Sequence, residues 1–136
     1  MSAAPGPRVA YVPGVFDLLH RGHLNLLWRA RALCDVLIVG VVSDMGVDAY
    51  KGLMPWESQE LRIRALQRLS WIDVVVPQAT TDPTPNLERF LPDVLVHGDD
   101  WSTLREGQAT LERLGIEWVS LPYTPGVSST QLRSRA

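Results

Sequence analysis

Residues 35–43 read DVLIVGVVS, an apolar run broken only by Gly40. A strand without polar alternation is buried on both faces, and such strands belong to parallel sheets covered by helices on each side. The rest of the chain fits that demand. Further short β-rich runs are RVAYVP (8–13), DVVVP (73–77), DVLVHG (93–98) and EWVSLPY (117–123). Between them lie helical patterns. HLNLLWRARAL (23–33) places Leu24, Leu27, Ala30 and Leu33 at helical spacing. SQELRIRALQRL (58–69) has Ser58 as its N-cap, and TPNLERFL (84–91) has Thr84 as N-cap with Pro85 at the first helical position. TLREGQATLERLG (103–115) carries Gly107, which weakens its first turn. Strands alternating with helices predict an α/β, doubly wound sheet of about five parallel strands with right-handed crossovers. Ligands bind such sheets at the carboxyl ends of the strands, near the point where strand order reverses.

The chain's 136 residues suit one domain, with residues 1–7 as a loose tail. The abrupt end after SSTQLRSRA is compatible with a natural terminus or with a domain cut from a longer polypeptide. Thirteen basic and fifteen acidic residues leave a net charge of −2 with no basic run, which gives little support to nucleic-acid binding. No apolar run reaches the length of a membrane span, and MSAAPGPR lacks a signal core, so the cytoplasm is expected. The single cysteine, Cys34, cannot form an internal disulfide and is expected in the core.

Chemistry concentrates in GVFDLLHRGHLNLL (14–27), which holds two of the three histidines. Exposed loop histidines are the bland alternative. Yet His20 and His23 directly follow a strand, Gly14 allows a tight backbone, and Gly22 allows close approach where the helix begins. A helix N-terminus offers unpaired N–H groups and a positive dipole end, which favour phosphate. Two imidazoles there can donate to phosphate oxygens.

GVFDLLHRGH resembles the signature of the cytidylyltransferase family of nucleotidyltransferases, an HxGH after a glycine and FD. YKGLMPWESQELRIRAL (50–66) resembles the family segment with a phosphate-binding lysine followed by E-x-R. VHGDDW (96–101) and TPGVSSTQL (124–132) resemble stretches of glycerol-3-phosphate cytidylyltransferase, and TTDPTPNLERFLPDVLVHG (80–98) resembles ADP-heptose synthases. The resemblance implies a Rossmann-like fold of the HxGH nucleotidyltransferase type. It implies catalytic roles for His20, His23, Lys51 and Thr130. It implies nucleotide contacts from Gly14, Val15, Phe16, His20, Gly22, His23, Asp99, Gly126, Val127, Ser128, Ser129 and Thr130. It also suggests a homodimer.

Arg62, Asp100, Trp101 and Tyr123 rank second. Lys51, the only lysine, falls in a glycine-containing loop after the second strand, where its ammonium can offset triphosphate charge or hold an acceptor. Glu60 and Arg62 sit on a helix, where charges usually form a solvated face, although Arg62 matches the E-x-R arginine. Asp99 and Asp100 could contact the nucleotide, hold Mg²⁺ with its phosphates or cap a helix. Asp17 reads as a local cap. Trp101 is a lid or ordinary packing. Gly126 to Thr130 can cap a helix, hold phosphates, or both.

Departures bear on the acceptor. Tyr123, Leu53, Ser70 and Thr84 stand where the glycerol-phosphate enzyme carries charged residues. The resemblance thus implies in-line nucleotidyl transfer with pyrophosphate release, with Mg²⁺ held by the nucleotide phosphates and no metal ligand assigned to the protein. The expectation is CTP as donor, from GDDW, and a small phosphate or phosphonate alcohol such as 2-hydroxyethylphosphonate as acceptor, in a chain compatible with fusion to another catalytic domain. The alternatives are ATP with a sugar 1-phosphate, as in ADP-heptose synthases, and glycerol-3-phosphate cytidylyl transfer. From another class comes a non-catalytic nucleotide-binding regulatory domain.

Overall fold

Five strands lie in the order β3-β2-β1-β4-β5, every neighbouring pair parallel. The structure is a computed structural model and describes residues 6–98 and 105–122. Its elements are β1 (Val9–Gly14), α1 (Arg21–Arg31), β2 (Val36–Val42), α2 (Asp44–Lys51), α3 (Gln59–Gln67), β3 (Val74–Gln78), α4 (Thr84–Phe90), β4 (Val94–Gly98), α5 (Arg105–Leu114) and β5 (Glu117–Leu121). The chain builds outward from β1 to β3, then returns to place β4 on the other side of β1. The reversal therefore lies between β1 and β4, which is where a sheet of this kind takes a ligand.

Alternation along the strands divides the core into two layers. Ala10, Val12, Leu37, Val39, Val41, Val94 and Val96 pack under Leu27 and Ala30 of α1 and Leu66 of α3. Tyr11, Ile38 and Leu95 point the other way, onto Leu87 of α4 and Leu111 of α5. Each fully buried aliphatic side chain of this size stabilises the fold by about 1.5–3 kcal/mol. In the second layer the buried Tyr11 hydroxyl donates to Gln78 Oε1 (2.5 Å) and accepts from Asn86 Nδ2 (2.9 Å). Burial pushes this phenol above its ordinary pKa. Gly40 makes room for it, since a Cβ there would stand 1.9 Å from the Tyr11 oxygen.

The amino edge of the sheet is stitched by one repeated device. Three strands are entered through an Asp-Val pair, Asp35-Val36, Asp73-Val74 and Asp93-Val94. Each carboxylate accepts a backbone N–H of a neighbouring strand. Asp35 takes Arg8 N–H (2.7 Å), Asp73 takes Leu37 N–H (2.8 Å) and Asp93 takes Val9 N–H (2.7 Å). The N–H groups that precede the ladder are thereby satisfied.

Several local expectations need correction. The first helix begins at Arg21, and its buried face is His23, Leu26, Leu27 and Ala30; Leu24 is half-buried and Leu33 lies past the helix, exposed. Cys34 is half-buried at the margin of the core. Thr84 is not an N-cap: Pro83 takes that place, and Asp82 Oδ1 accepts the Thr84 N–H (2.9 Å). Gly107 lies inside α5 because a Cβ there would meet Pro83 at 2.8 Å. The glycine lets α5 rest on the start of α4. Lys51 is not in a loop but is the last residue of α2, which Ser43 caps and Gly52 ends in the left-handed region at φ 77°. Among the described residues, no helix is long and apolar enough to cross a membrane.

Candidate active site

At the carboxyl end of β1 the chain turns over the sheet through Gly14 to Leu19. A Cβ on Gly14 would lie 2.6 Å from the Phe16 ring, so glycine is what lets that ring fold back over the strand end. Phe16 (φ 55°) and Leu18 (φ 51°) both adopt the left-handed region. For residues other than glycine each such conformation costs about 1–3 kcal/mol, and surrounding contacts must hold it. Between them Asp17 is buried, 2% exposed. Its Oδ2 accepts the Trp56 N–H (2.8 Å) and its Oδ1 the Glu57 N–H (2.9 Å). In return Glu57 Oε1 accepts the Leu18 N–H (2.8 Å). Asp17 is thus no local cap. It reaches about forty residues along the chain.

His20 is the N-cap of α1 in extended conformation. Its Nδ1 accepts the Gly22 N–H (3.0 Å), and His23 Nδ1 accepts the His20 N–H (3.3 Å). Two imidazoles here form the reciprocal arrangement that Ser/Thr with Glu usually makes. The rings stack at 3.8 Å between centroids, 20° apart in plane, and Phe16 meets His23 edge-on at 5.5 Å. His20 is half-buried; His23, the inner ring, is 7% exposed. Burial, then the neighbouring His20, pushes His23 down to about 3, with Lys51 adding to the push and Asp17 opposing it; burial alone lowers His20. Both rings are therefore neutral near pH 7. A neutral imidazole whose Nδ1 accepts carries its proton on Nε2. The pair is held as two Nε2–H donors by the helix's own amides.

Lys51 is exposed at the end of α2, and its charge reaches His23. Arg62 is not on a solvated face. It is fully buried, and its guanidinium donates to the carbonyls of Glu57 (2.9 Å), Val15 (2.8 Å) and Val42 (2.8 Å) and pairs with Asp44 (2.6 Å). It ties the ends of β1 and β2 to the start of α2 and the segment before α3. These partners give Arg62 a framework role at the carboxyl edge. Glu60 does lie on the solvated face, paired with Arg64 at 2.5 Å. Leu53 and Ser70 are exposed, and Thr84 Oγ1 meets Thr110 Oγ1 (2.7 Å). Asp99, Asp100, Trp101, Tyr123, Gly126, Val127, Ser128, Ser129 and Thr130 lie outside the described residues.

Sequence reasoning missed Glu57 and underweighted Asp17 and Arg62. A carboxylate one residue before a helix N-cap reads as solvated, and no local pattern announces a partner so far away. The third histidine, His97, is buried at the end of β4 with Nδ1 on its neighbour's carbonyl, Gly98 O (2.6 Å), and Nε2 accepting from Trp118 Nε1.

Mg²⁺ requires oxygen ligands. Among the described residues no group of three metal-binding side chains converges, and both Asp17 oxygens are engaged by backbone amides. The described site suits an anion rather than a bare cation.

A family model described as cytidylyltransferase-like matches residues 11–135. A bifunctional protein HldE from Hyphomonas neptunium is 37% identical over 98% of this chain, and one from Caulobacter vibrioides is 42% identical over 97%. The chain spans 28% of the length of each of these relatives. Among solved structures, the lipopolysaccharide core biosynthesis protein from Thermoplasma volcanium superposes with a TM-score of 0.74 at 26% identity, covering 88% of this chain and 98% of that one. Pantoate-beta-alanine ligase from Francisella tularensis shares the fold at a TM-score of 0.63 and 16% identity, over 97% of this chain and 70% of that one.

Proposed function

Because the chain belongs to the cytidylyltransferase-like family and carries a nucleotidyltransferase-like domain, we propose that it transfers an adenylyl group from ATP to a sugar 1-phosphate. The observation that carries this reading is the identity to HldE proteins along nearly the whole chain, joined to the resemblance of residues 80–98 to ADP-heptose synthases. A phosphorylated sugar also fits a structural neighbour whose name places it in lipopolysaccharide core biosynthesis. Cytidylyl transfer to 2-hydroxyethylphosphonate, the first expectation, leans on GDDW and on the replaced cations, and the relatives weigh against it. The homodimer and fusion to a second catalytic domain belong to the proposal as well; the greater length of the relatives supports the fusion.

In the proposed reaction an acceptor phosphate oxygen attacks the α-phosphorus of ATP in line. A new P–O bond forms, the bond to the bridging oxygen breaks, and pyrophosphate leaves. The acceptor is already ionised, so no strong base is needed. The protein's task is to hold two anions together and to stabilise charge in the transition state. The Nε2–H groups of His20 and His23 serve as uncharged donors to phosphate oxygens. Lys51 offsets the charge shared by donor and acceptor.

The test crosses ATP and CTP with a sugar 1-phosphate, glycerol 3-phosphate and 2-hydroxyethylphosphonate, read by pyrophosphate release. ATP with the sugar 1-phosphate should be fastest. Faster turnover of CTP with the phosphonate overturns the reading, and no release from any pair favours the regulatory domain.

A further inference from the structure

We propose that Asp17 is a positioning residue that docks the segment following Lys51, up to Ser58, onto the histidine loop and so sets where the Lys51 end of α2 stands relative to the donor site. This rests on the reading of Lys51 given above. Past Gly52 the chain runs to Ser58 with Leu53, Met54 and Trp56 all exposed (48%, 49% and 57%), so apolar burial does little to hold it. Polar contacts hold it, and they converge on three residues of the histidine loop, Val15, Asp17 and Leu18. Asp17 accepts the amides of Trp56 and Glu57, Glu57 accepts the amide of Leu18, and Arg62 gathers the carbonyls of Val15 and Glu57.

The left-handed residues on either side of Asp17 give this geometry a purpose. Strain of that kind persists only where the surroundings over-determine it, and it clusters at functional sites. Here it aims a buried carboxylate across the gap. The histidines are held differently, by amides of their own helix. Releasing the clasp should therefore let the Lys51 end of α2 shift without disturbing the histidine pair. A displacement of about 1 Å at a reacting centre can cost roughly 10² in rate.

The test is a double-mutant cycle of Asp17→Asn and Lys51→Ala in the full chain, with substrates from the cross above. Asn keeps one acceptor but turns an N–H₂ toward the second amide. Asp17→Asn should lower kcat/KM by roughly 10- to 100-fold, while the dissociation constant for ATP, from calorimetric titration, stays within about twofold. In the Lys51→Ala background the same change should cost less than about twofold, because residues acting through one another are non-additive. Additive losses, or an Asp17→Asn enzyme as fast as wild type, overturn the proposal. Amide hydrogen exchange supplies a readout without turnover. Exchange at Trp56 and Glu57 should quicken at least about tenfold in the variant, with residues 24–30 unchanged. Unchanged exchange at Trp56 and Glu57 also overturns it. If Asp17→Asn fails to fold, Glu57→Ala, which removes the return bond to Leu18, takes its place in both experiments. A wild type inactive on every substrate pair sinks the proposed reaction but not the docking, which exchange then decides alone.

Discussion

The two ends of the sheet solve the same problem in opposite ways. At the amino edge, backbone N–H groups meet the carboxylates of Asp35, Asp73 and Asp93, each at the mouth of its own strand. The partners are short, repeated and mostly exposed. At the carboxyl edge the chain uses rarer parts: imidazoles as caps, a buried carboxylate between two left-handed residues, and a fully buried guanidinium. The amino edge spends its polar atoms on itself. The carboxyl edge uses one side of each imidazole for the fold, and Nε2 makes no hydrogen bond to the described residues. The lesson is where the strain lies: one edge is held by ordinary exposed contacts, the other is strained and over-determined.

The sharpest contrast is between two arginines. Arg62→Met should destabilise the protein by about 3–5 kcal/mol, because three carbonyls and the partly exposed Asp44 lose the buried guanidinium that joins them. Arg8→Met, which removes the exposed pair with Glu117, should cost no more than about 1 kcal/mol. Denaturant melts of both variants measure the difference, and equal losses would erase the distinction between the edges.

His20→Asn separates fold from chemistry at the carboxyl edge. Asparagine is a good N-cap, so stability should hold within about 1 kcal/mol. It cannot present the imidazole Nε2–H, so turnover should fall by about 10²–10³. A melt beside a rate assay checks both halves.

Acid should strike the carboxyl edge through its histidines. The unfolded chain protonates His23 near pH 6.5, whereas the folded chain holds it neutral down to about 3. Between those values the unfolded state binds the extra proton, so stability falls as pH falls. At pH 5 the loss against pH 7 should be about 2 kcal/mol, with His20 adding in the same direction. Melts of wild type and His23→Asn across pH 7 to 5 measure this, and the variant's curve should be flatter.

The smallest effect belongs to the amino edge. Asp93→Ala removes the acceptor for Val9 N–H and should cost about 1 kcal/mol, without altering turnover. A rate change there would show that the two edges communicate.

How much of this was legible in the sequence followed the same divide. The apolar runs announce buried parallel strands because burial on both faces leaves no room for polar residues. Strand existence was thus readable, and boundaries shifted by a residue or two. The histidine unit was readable because its parts are contiguous. Arg62 was misweighted because QELRIRALQ looks like a helix with a charged face, and only the folded chain gathers the carbonyls that draw the guanidinium inward. α2 was missed because its buried face is only Gly46 and Val47, too little for a periodic stripe. Asp17 and Glu57 recognise each other's backbones across about forty residues, a relation no window of sequence contains.

The histidine cap also dictates what a synthetic ligand for this site must look like. Two stacked imidazoles that each present an Nε2–H welcome lone pairs. A warhead built on a sulfone, phosphonate or nitro group offers paired oxygens. A protonated amine, with only hydrogens to offer, would set N–H against N–H. Because the donors are uncharged, the oxygens need not carry a full negative charge, which leaves room for neutral compounds that cross membranes.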